Sequence, residues 1–380
     1  MNSPKRSLAI DVLRGLTVAL MIVVNMSVDD NVVYSQLAHA KWLGLTLTDL
    51  VFPTFLFVMG TALSLNYEKY STLGNSAVLR KILTRTALIF LCGYLLYWFP
   101  FFQIDSTGHV SLLPVAQTRV LGVLQRIALC YGAAALLLHY GGRRAAIVFS
   151  VVALLGYWAL LYAFGDYSLT GNAGLRLDRW VLGEAHMYHG EGIAFDPEGI
   201  LSTLPAIVNV LAGYFAGRAL RDRGPNYETL TRLLLTGGLC IVVALLWDNV
   251  FPISKKMWTS SYALCTIGID LYVISMLVYL IEIRGTGRWT HFFEVFGKNT
   301  LFIYLLSEVG NAVVGLVQVS HPVMGSAQFG DQSLFTWLYQ HVFKPWAGAK
   351  NGALLYAVAY MLCCWGVAYA MDRRRLYIKL

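Results

Sequence analysis

The stretch HAKWLGLTLTDLVFPTFLFVMG, residues 39–60, carries a histidine and, ten positions later, a carboxylate at the start of a long apolar run. An apolar run of roughly 20 residues is long enough to cross the hydrocarbon core of a bilayer as an α-helix. The stretch therefore predicts a membrane helix that follows a polar loop. His39 lies in this loop, and Asp49 lies at the start of the helix.

The composition of the whole chain is that of a membrane protein. Of its 380 residues, 57% are hydrophobic and 13% are charged, and the mean hydropathy of +0.59 lies outside the range usual for soluble domains. Because apolar runs recur along the chain, we predict an all-α, polytopic membrane protein with a single domain over residues 1–380. About ten transmembrane helices are predicted, at residues 7–28, 45–65, 81–100, 119–139, 146–164, 200–220, 232–250, 261–282, 294–318 and 352–371.

The distribution of positive charge predicts the orientation. An even number of spans places both termini on one side, and most Lys and Arg of the predicted connections fall on the side of the N-terminus. Cytoplasmic loops retain Lys and Arg, which predicts both termini inside. The net charge of +8 then reflects topology and contact with anionic lipid, and it requires no nucleic acid. The six cysteines fall in or beside the spans, which predicts neither a disulfide framework nor a metal site.

Polar side chains within the first predicted span form a stripe. Arg14 and Asn25 lie roughly 60° and 40° around the helix from Asp11, and the stripe is roughly 21 Å long. Ionisable residues at membrane depth are costly and indicate a functional site by default. The alternative is that Asp11 and Arg14 neutralise each other near the headgroups while Asn25 packs between helices.

Further polar residues lie in or beside the later spans. Arg126 is too deep to reach water comfortably and needs an anionic or carbonyl partner, for which Glu308 and Asp270 are the candidates if the pairing is only structural. The other residues that we single out here are Gln125, Asp248, Trp258, Lys298, Asn299 and Tyr304.

Two interpretations are open for the opening stretch. Asp49 follows Thr46 by three residues, which is typical of a helix N-terminal cap. His39 titrates near neutrality and can accept or donate a proton, whereas a loop histidine is usually a solvated surface residue. Two long external segments, 165–199 and 319–351, are predicted as loops, and the first is polar enough to contact a polar ligand.

Five segments of the chain carry a resemblance to a known family. Residues 7–60 resemble the membrane acetyltransferases related to lysosomal heparan-α-glucosaminide N-acetyltransferase, including bacterial relatives associated with the use of N-acetylglucosamine. The resemblance continues through GVLQRIALCYG (122–132), FDPEGILSTLPAIVNVLAGYFAG (195–217), PISKKMWTSSYALCTIG (252–268) and GKNTLFIYLLSE (297–308).

The resemblance implies an enzyme that moves an acetyl group from cytoplasmic acetyl-CoA to the amine of a glucosamine-type sugar across the membrane. It implies a multi-pass protein of the bacterial inner membrane, a homodimer and no metal. It also implies that His39 is catalytic, with Asn25 and Asp49 beside it. We assign coenzyme A binding to Arg14, Gln125, Arg126, Lys298, Asn299 and Tyr304, with Arg6 as a further phosphate contact, and acceptor binding to Asp248, Trp258 and Glu308.

Two other functions fit the same residues. The polar groups could line the path of an amino-sugar transporter that transfers no group, or the enzyme could acylate a hydroxyl of a cell-envelope glycan. Within the acetyltransferase hypothesis, direct transfer and a ping-pong route through acetylated His39 both remain open.

Overall fold

The computed structural model describes residues 7–26, 32–71, 74–104, 109–322 and 329–378, so Arg6 lies outside the described part of the chain. The described residues are mainly helical, which confirms an all-α polytopic membrane protein. The helices are α1 (Leu8–Asn25), α2 (Leu47–Ser71), α3 (Asn75–Trp98), α4 (Val123–Leu136), α5 (Gly142–Phe164), α6 (Ala173–Leu182), α7 (Thr203–Arg223), α8 (Tyr227–Asp248), α9 (Ser260–Val278), α10 (Thr290–Lys298), α11 (Thr300–Leu316), α12 (Leu334–Leu338), α13 (Lys344–Ala347) and α14 (Ala349–Arg373).

Two short antiparallel strand pairs accompany these helices, together with short 3₁₀- and π-helical turns. The first pairs β1 (Phe102–Ile104) with β2 (Val110–Leu112), and the second pairs β3 (Gln318–Pro322) with β4 (Phe329–Ser333). The two long external segments are therefore more ordered than predicted. The first contains α6, and the second contains β3, β4, α12 and α13.

The prediction of ten crossings is not confirmed. Within the described residues, seven helical segments are long and apolar enough to span a bilayer, or eight if α10 and α11, which meet at an 84° bend, form one span. One of the seven is a continuous segment of 42 residues, Val123–Phe164, in place of two predicted helices. The α3 helix, which carries Arg80, Lys81 and Arg85, is not among them.

The 42-residue segment nevertheless turns back on itself. In a straight helix Arg126 and Tyr157 would be about 46 Å apart. Instead the Arg126 guanidinium lies 5.0 Å from the Trp258 ring centre, and the Tyr157 hydroxyl donates to the carbonyl of Met257. Gly142 adopts a φ of 66°, a left-handed value that glycine accepts without a steric penalty, so the chain reverses near this residue.

The helices divide into an inner and an outer set. Within the spanning windows of α1, α2, α7 and α9, between 61% and 67% of the residues are buried, against 22–28% in α8, α14 and the window within the α4–α5 segment, of which α4 itself is mostly buried. The inner helices form the core around the polar site, and the outer ones present apolar side chains to the surroundings.

Close contact of α2 with α7 depends on two glycines. A Cβ added to Gly60 would lie 1.9 Å from the carbonyl oxygen of Val210, and one added to Gly213 would lie 1.9 Å from that of Phe57. Neither backbone can move independently of its helix, so even a methyl group forces the two helices apart.

We expect Gly213→Ala to destabilise the protein by about 1–3 kcal/mol, because overpacking displaces α7 from α2. Gly156→Ala is the matched control, since a Cβ at this helical position has no neighbour within 4 Å among the described residues. Thermal unfolding in detergent, followed by tryptophan fluorescence, measures both. Equal midpoints for the two variants would contradict the proposed role of this contact.

Candidate active site

His39 and Asp49 form a hydrogen-bonded pair at the N-terminal end of α2. The His39 Nδ1 atom lies 2.7 Å from Asp49 Oδ1. The carboxylate is buried with 1% of its side chain exposed, whereas 49% of the histidine side chain is exposed. The pair thus joins a fixed, buried anion to an imidazole that a ligand can reach.

The local sequence explains why Asp49 is rigid. Its Oδ2 atom accepts hydrogen bonds from the Thr46 backbone N–H at 3.1 Å, the Thr46 hydroxyl at 2.9 Å and the Ala40 N–H at 3.1 Å. Of the predicted cap of α2, the part made by the acid is present, since Asp49 satisfies the Thr46 N–H, whereas the Thr46 hydroxyl acts as a donor to Asp49 and to Ala38 O. The Oδ2 atom of Asp49 accepts the hydrogen bonds at the start of α2, and its Oδ1 atom contacts His39.

Lys255 completes this cluster from the turn between α8 and α9. Its ammonium lies 3.0 Å from His39 Nδ1, 3.4 Å from His39 Nε2 and 3.6 Å from Asp49 Oδ1. Burial lowers the pKa of Lys255 below its usual value, and the negative charges of Asp49 and Glu198 act in the opposite direction.

A cavity of about 290 Å³ opens beside this cluster. It brings together side chains from the ends of α1, α2, α4 and α11, from the 165–199 segment and from the α8–α9 turn. Its polar lining consists of Asn25, His39, Thr48, Asp49, Arg119, Tyr188, Glu191, Glu198, Lys255, Lys256, Trp258 and Tyr304. Its inner wall is apolar and includes Met21, Val24, Phe52, Phe55, Val123 and Ile127.

The structure brings several of the predicted site residues to this cavity. Asn25, His39, Asp49, Trp258 and Tyr304 line it. The Asn25 amide donates to Glu308 Oε1 at 2.7 Å, so Glu308 supports Asn25. The outer end of the predicted stripe on α1 therefore faces the cavity.

Arg126 and Gln125 are buried behind the cavity wall. Arg126 donates to Gly199 O at 3.0 Å and to the Ser202 hydroxyl, so the predicted structural pairing with Glu308 or Asp270 is wrong. Its Nε and Nη1 atoms have no hydrogen-bond partner among the described residues, and neither does the amide of Gln125.

The remaining predicted residues lie elsewhere. Arg14 forms the predicted pair with Asp11, at 3.4 Å, and donates to Gly297 O. Lys298 binds Asp372 at 2.8 Å, and the Asn299 amide donates to Leu376 O, so both hold the C-terminal segment. Exposed Asp248 accepts from the Ile253 N–H at 2.6 Å and orders the turn that carries Lys255.

An ion-pair network fastens the 165–199 segment over the cavity. The Arg119 guanidinium contacts Asp196 through two nitrogens, at 2.6 and 3.1 Å, and Glu198 at 2.6 Å. Lys256 binds Glu191 at 2.6 Å. Sequence reasoning identified the acids only as part of a polar loop, and it did not select Arg119, Lys255 or Lys256. The sequence feature that could have indicated them is the pair Lys255 and Lys256, which lies close to Trp258 in a short turn.

Asp178 of α6, within the same segment, is buried and accepts from the Ile200 N–H at 2.9 Å. Burial raises its pKa from 3.8 to about 7; nearby Asp196 also raises it, while Arg126 acts in the opposite direction. Because the folded state then binds the proton more tightly than the unfolded state, stability is greatest below about pH 4 for this group and is lost as the pH rises through 7.

We expect Asp178→Asn to flatten this dependence, because asparagine keeps an acceptor for the Ile200 N–H and carries no charge. The variant should gain on the order of 2–4 kcal/mol over the parent at pH 8 and little near pH 4. Thermal unfolding across pH 4–8 measures the difference, with exposed Asp166→Asn as control. A constant difference at every pH would refute the titration of Asp178.

Comparison with known proteins places the chain in a family. A family model described as heparan-alpha-glucosaminide N-acetyltransferase, catalytic, matches residues 6–245. The human protein named heparan-alpha-glucosaminide N-acetyltransferase is 28% identical over 368 residues, covering 80% of this chain and 53% of that protein. The mouse protein of that name is 27% identical, covering 81% of this chain and 54% of the relative. The chain thus spans about half the length of these relatives. Since the family model matches well over half of its residues, the chain belongs to the heparan-α-glucosaminide N-acetyltransferase catalytic family.

Proposed function

We propose that this protein transfers the acetyl group of acetyl-CoA to the amine of a glucosamine-type sugar. The observation that carries the proposal is the His39–Asp49 pair at the edge of a cavity that Asn25 also lines. Family membership supports the same reaction, since both relatives are named as N-acetyltransferases of heparan glucosaminide.

Acetyl transfer to an amine requires that the nitrogen lose a proton and attack the thioester carbonyl. The Nδ1 atom of His39 donates to Asp49, which leaves the Nε2 lone pair to accept the proton of the sugar amine. Asp49 fixes the ring through a hydrogen bond, and the cap of α2 fixes Asp49. In a ping-pong variant, the same Nε2 atom carries the acetyl group to the amine.

Asn25 is proposed to stabilise the negative charge that develops on the carbonyl oxygen. One of its two amide N–H groups donates to Glu308, which orients the amide, and the second is proposed to bind the thioester oxygen. The carbonyl must therefore reach the outer end of α1. Tyr304 and the apolar inner wall would enclose the arm of coenzyme A at this depth.

We propose that coenzyme A approaches from the cytoplasm along α1, with Arg14 near its phosphates and Gln125, Arg126, Lys298 and Asn299 as further contacts. Lys298 also binds Asp372, and the Asn299 amide also donates to Leu376 O. The acceptor is proposed to enter from outside, past Glu191 and Glu198, whose charges Lys256 and Arg119 balance, and to reach the part of the cavity wall that the buried Trp258 forms. The proposed setting is a bacterial inner membrane with both termini inside, and the proposed assembly is a homodimer.

Sealed vesicles test the proposal. With acetyl-CoA inside and labelled glucosamine outside, we expect labelled N-acetylglucosamine in the external medium, identified by mass spectrometry. Vesicles loaded with free coenzyme A provide the control. Labelled sugar inside the vesicles without acetylated product would instead establish a transporter, and acetylation of an amine-blocked sugar would establish transfer to a hydroxyl.

A further inference from the structure

The primary amine of Lys255 lies beside the His39 imidazole, 3.0 Å from Nδ1. It lies 3.4 Å from His39 Nε2, the atom that receives the proton in the proposed mechanism, and it lines the same cavity. A lysine side chain and a glucosamine present the same functional group, an ammonium that becomes a nucleophile when it loses a proton. The chain therefore presents its own acceptor to its own base.

The turn that carries Lys255 is fixed, so the contact does not depend on a flexible loop. The Ser254 hydroxyl donates to Trp42 O at 2.7 Å, and the Gly44 N–H donates to Ile253 O at 2.8 Å. Only 17% of the Lys255 side chain is exposed. A reactive group held at this distance reacts as an intramolecular partner, which greatly raises its effective concentration.

The ionisation of Lys255 favours the same chemistry. Burial lowers its pKa, which increases the neutral, nucleophilic fraction of the amine. Lys256, the next residue, is different because it forms an ion pair with Glu191 at 2.6 Å. The two lysines share sequence context and proximity to the cavity, yet only Lys255 contacts His39.

We propose that Lys255 is a site of self-acetylation, modified by the enzyme's own acetyl-CoA when no acceptor occupies the cavity. The inference rests on the proposed function. His39 Nε2 takes one proton from the Lys255 ammonium, and the neutral nitrogen then attacks the thioester carbonyl. The C–S bond breaks, and the nitrogen gives a second proton to the departing sulfur, so that coenzyme A leaves as its thiol. The products are N-acetyl-Lys255, coenzyme A and the proton released from His39.

Self-acetylation would switch the site off. An amide nitrogen is neither basic nor readily deacylated, so the acetyl group cannot pass from Lys255 to a sugar. The modified side chain would also lose its charge beside Asp49 and occupy space in the cavity. Acceptor sugar should protect Lys255 because it competes for the same acetyl group.

Mass spectrometry tests the proposal on the full-length protein. Isotopically labelled acetyl-CoA is added at pH 7 with and without glucosamine, and the product is digested with chymotrypsin. Cleavage after Trp247 and Trp258 yields a peptide, residues 248–258, that contains both lysines. Fragmentation then assigns the label, with Lys256 as the internal control. We expect about tenfold more label on Lys255 than on Lys256, reduced by glucosamine and lost in His39→Ala.

A second measurement follows activity after incubation with acetyl-CoA alone. The parent should lose activity with time, whereas Lys255→Arg, compared with its own starting activity, should not. Turnover of glucosamine without label on Lys255, equal label on both lysines, or label unaffected by His39→Ala would each overturn self-acetylation while leaving the proposed function intact. Absence of both turnover and label would overturn both proposals.

Discussion

Replacement of His39 by alanine is expected to reduce acetyl transfer by about 10²- to 10⁴-fold, the usual contribution of a positioned general base. The imidazole is the exposed partner of a buried carboxylate, and it lies at the edge of the cavity. Turnover of labelled glucosamine in acetyl-CoA-loaded vesicles measures the loss. Binding of coenzyme A, measured separately, should be largely retained because the side chain lies at the acceptor end of the cavity.

The matched control is His341→Ala. His341 is an exposed histidine whose Nδ1 lies 3.1 Å from Trp337 O, and it is not among the residues that line the cavity. Its removal should leave turnover within a factor of about two. Substantial turnover in His39→Ala, with normal expression, would remove His39 from the mechanism under both the direct and the ping-pong routes.

The second large effect is expected for Arg119→Met, which should destabilise the fold by about 3–5 kcal/mol. Arg119 is the shared cation of Asp196 and Glu198, whose side chains are 0% and 10% exposed. Removal of Arg119 leaves two buried carboxylates close together without their positive partner. Thermal unfolding and limited proteolysis of the 165–199 segment should both report the loss.

Arg179→Met provides the comparison for this variant. The Arg179–Glu184 pair lies in the same external segment, but its side chains are 40% and 62% exposed, so water solvates both charges. Its loss should cost less than about 1 kcal/mol. If the two variants unfold at the same temperature, the buried network does not hold the segment over the cavity.

Sequence patterns were sufficient for the membrane fold because they report local burial in lipid. The apolar runs predicted spans that overlap α1, α2, α7, α8 and α9. The number of crossings could not be counted in this way. The α4–α5 segment is one helical run although the chain reverses near Gly142, and α10 and α11 are separated by a bend beside which Arg14 donates to Gly297 O and Asn299 donates to Leu376 O.

The site was predictable where the residues are close in sequence. His39, Asp49 and Thr46 lie within one loop and one helix end, so spacing and family resemblance selected them together. Lys255 joins them through a contact across more than 200 positions of the chain, which no local pattern reports. Lys298 and Asn299 carry suitable chemistry, but the C-terminal segment folds back onto them. These contacts arise from tertiary packing, so the local sequence around Lys298 and Asn299 does not predict them.

The unequal burial of the helices has a consequence for how this family can diversify. On α8 and α14 most positions of the spanning window are exposed, so exchange of one apolar residue for another changes little beyond contact with lipid tails. On α1, α2, α7 and α9 the same exchange alters packed volume around the polar site. Sequence drift should therefore concentrate on the outer helices, which leaves relatives of low overall identity with the same chemistry at their centre.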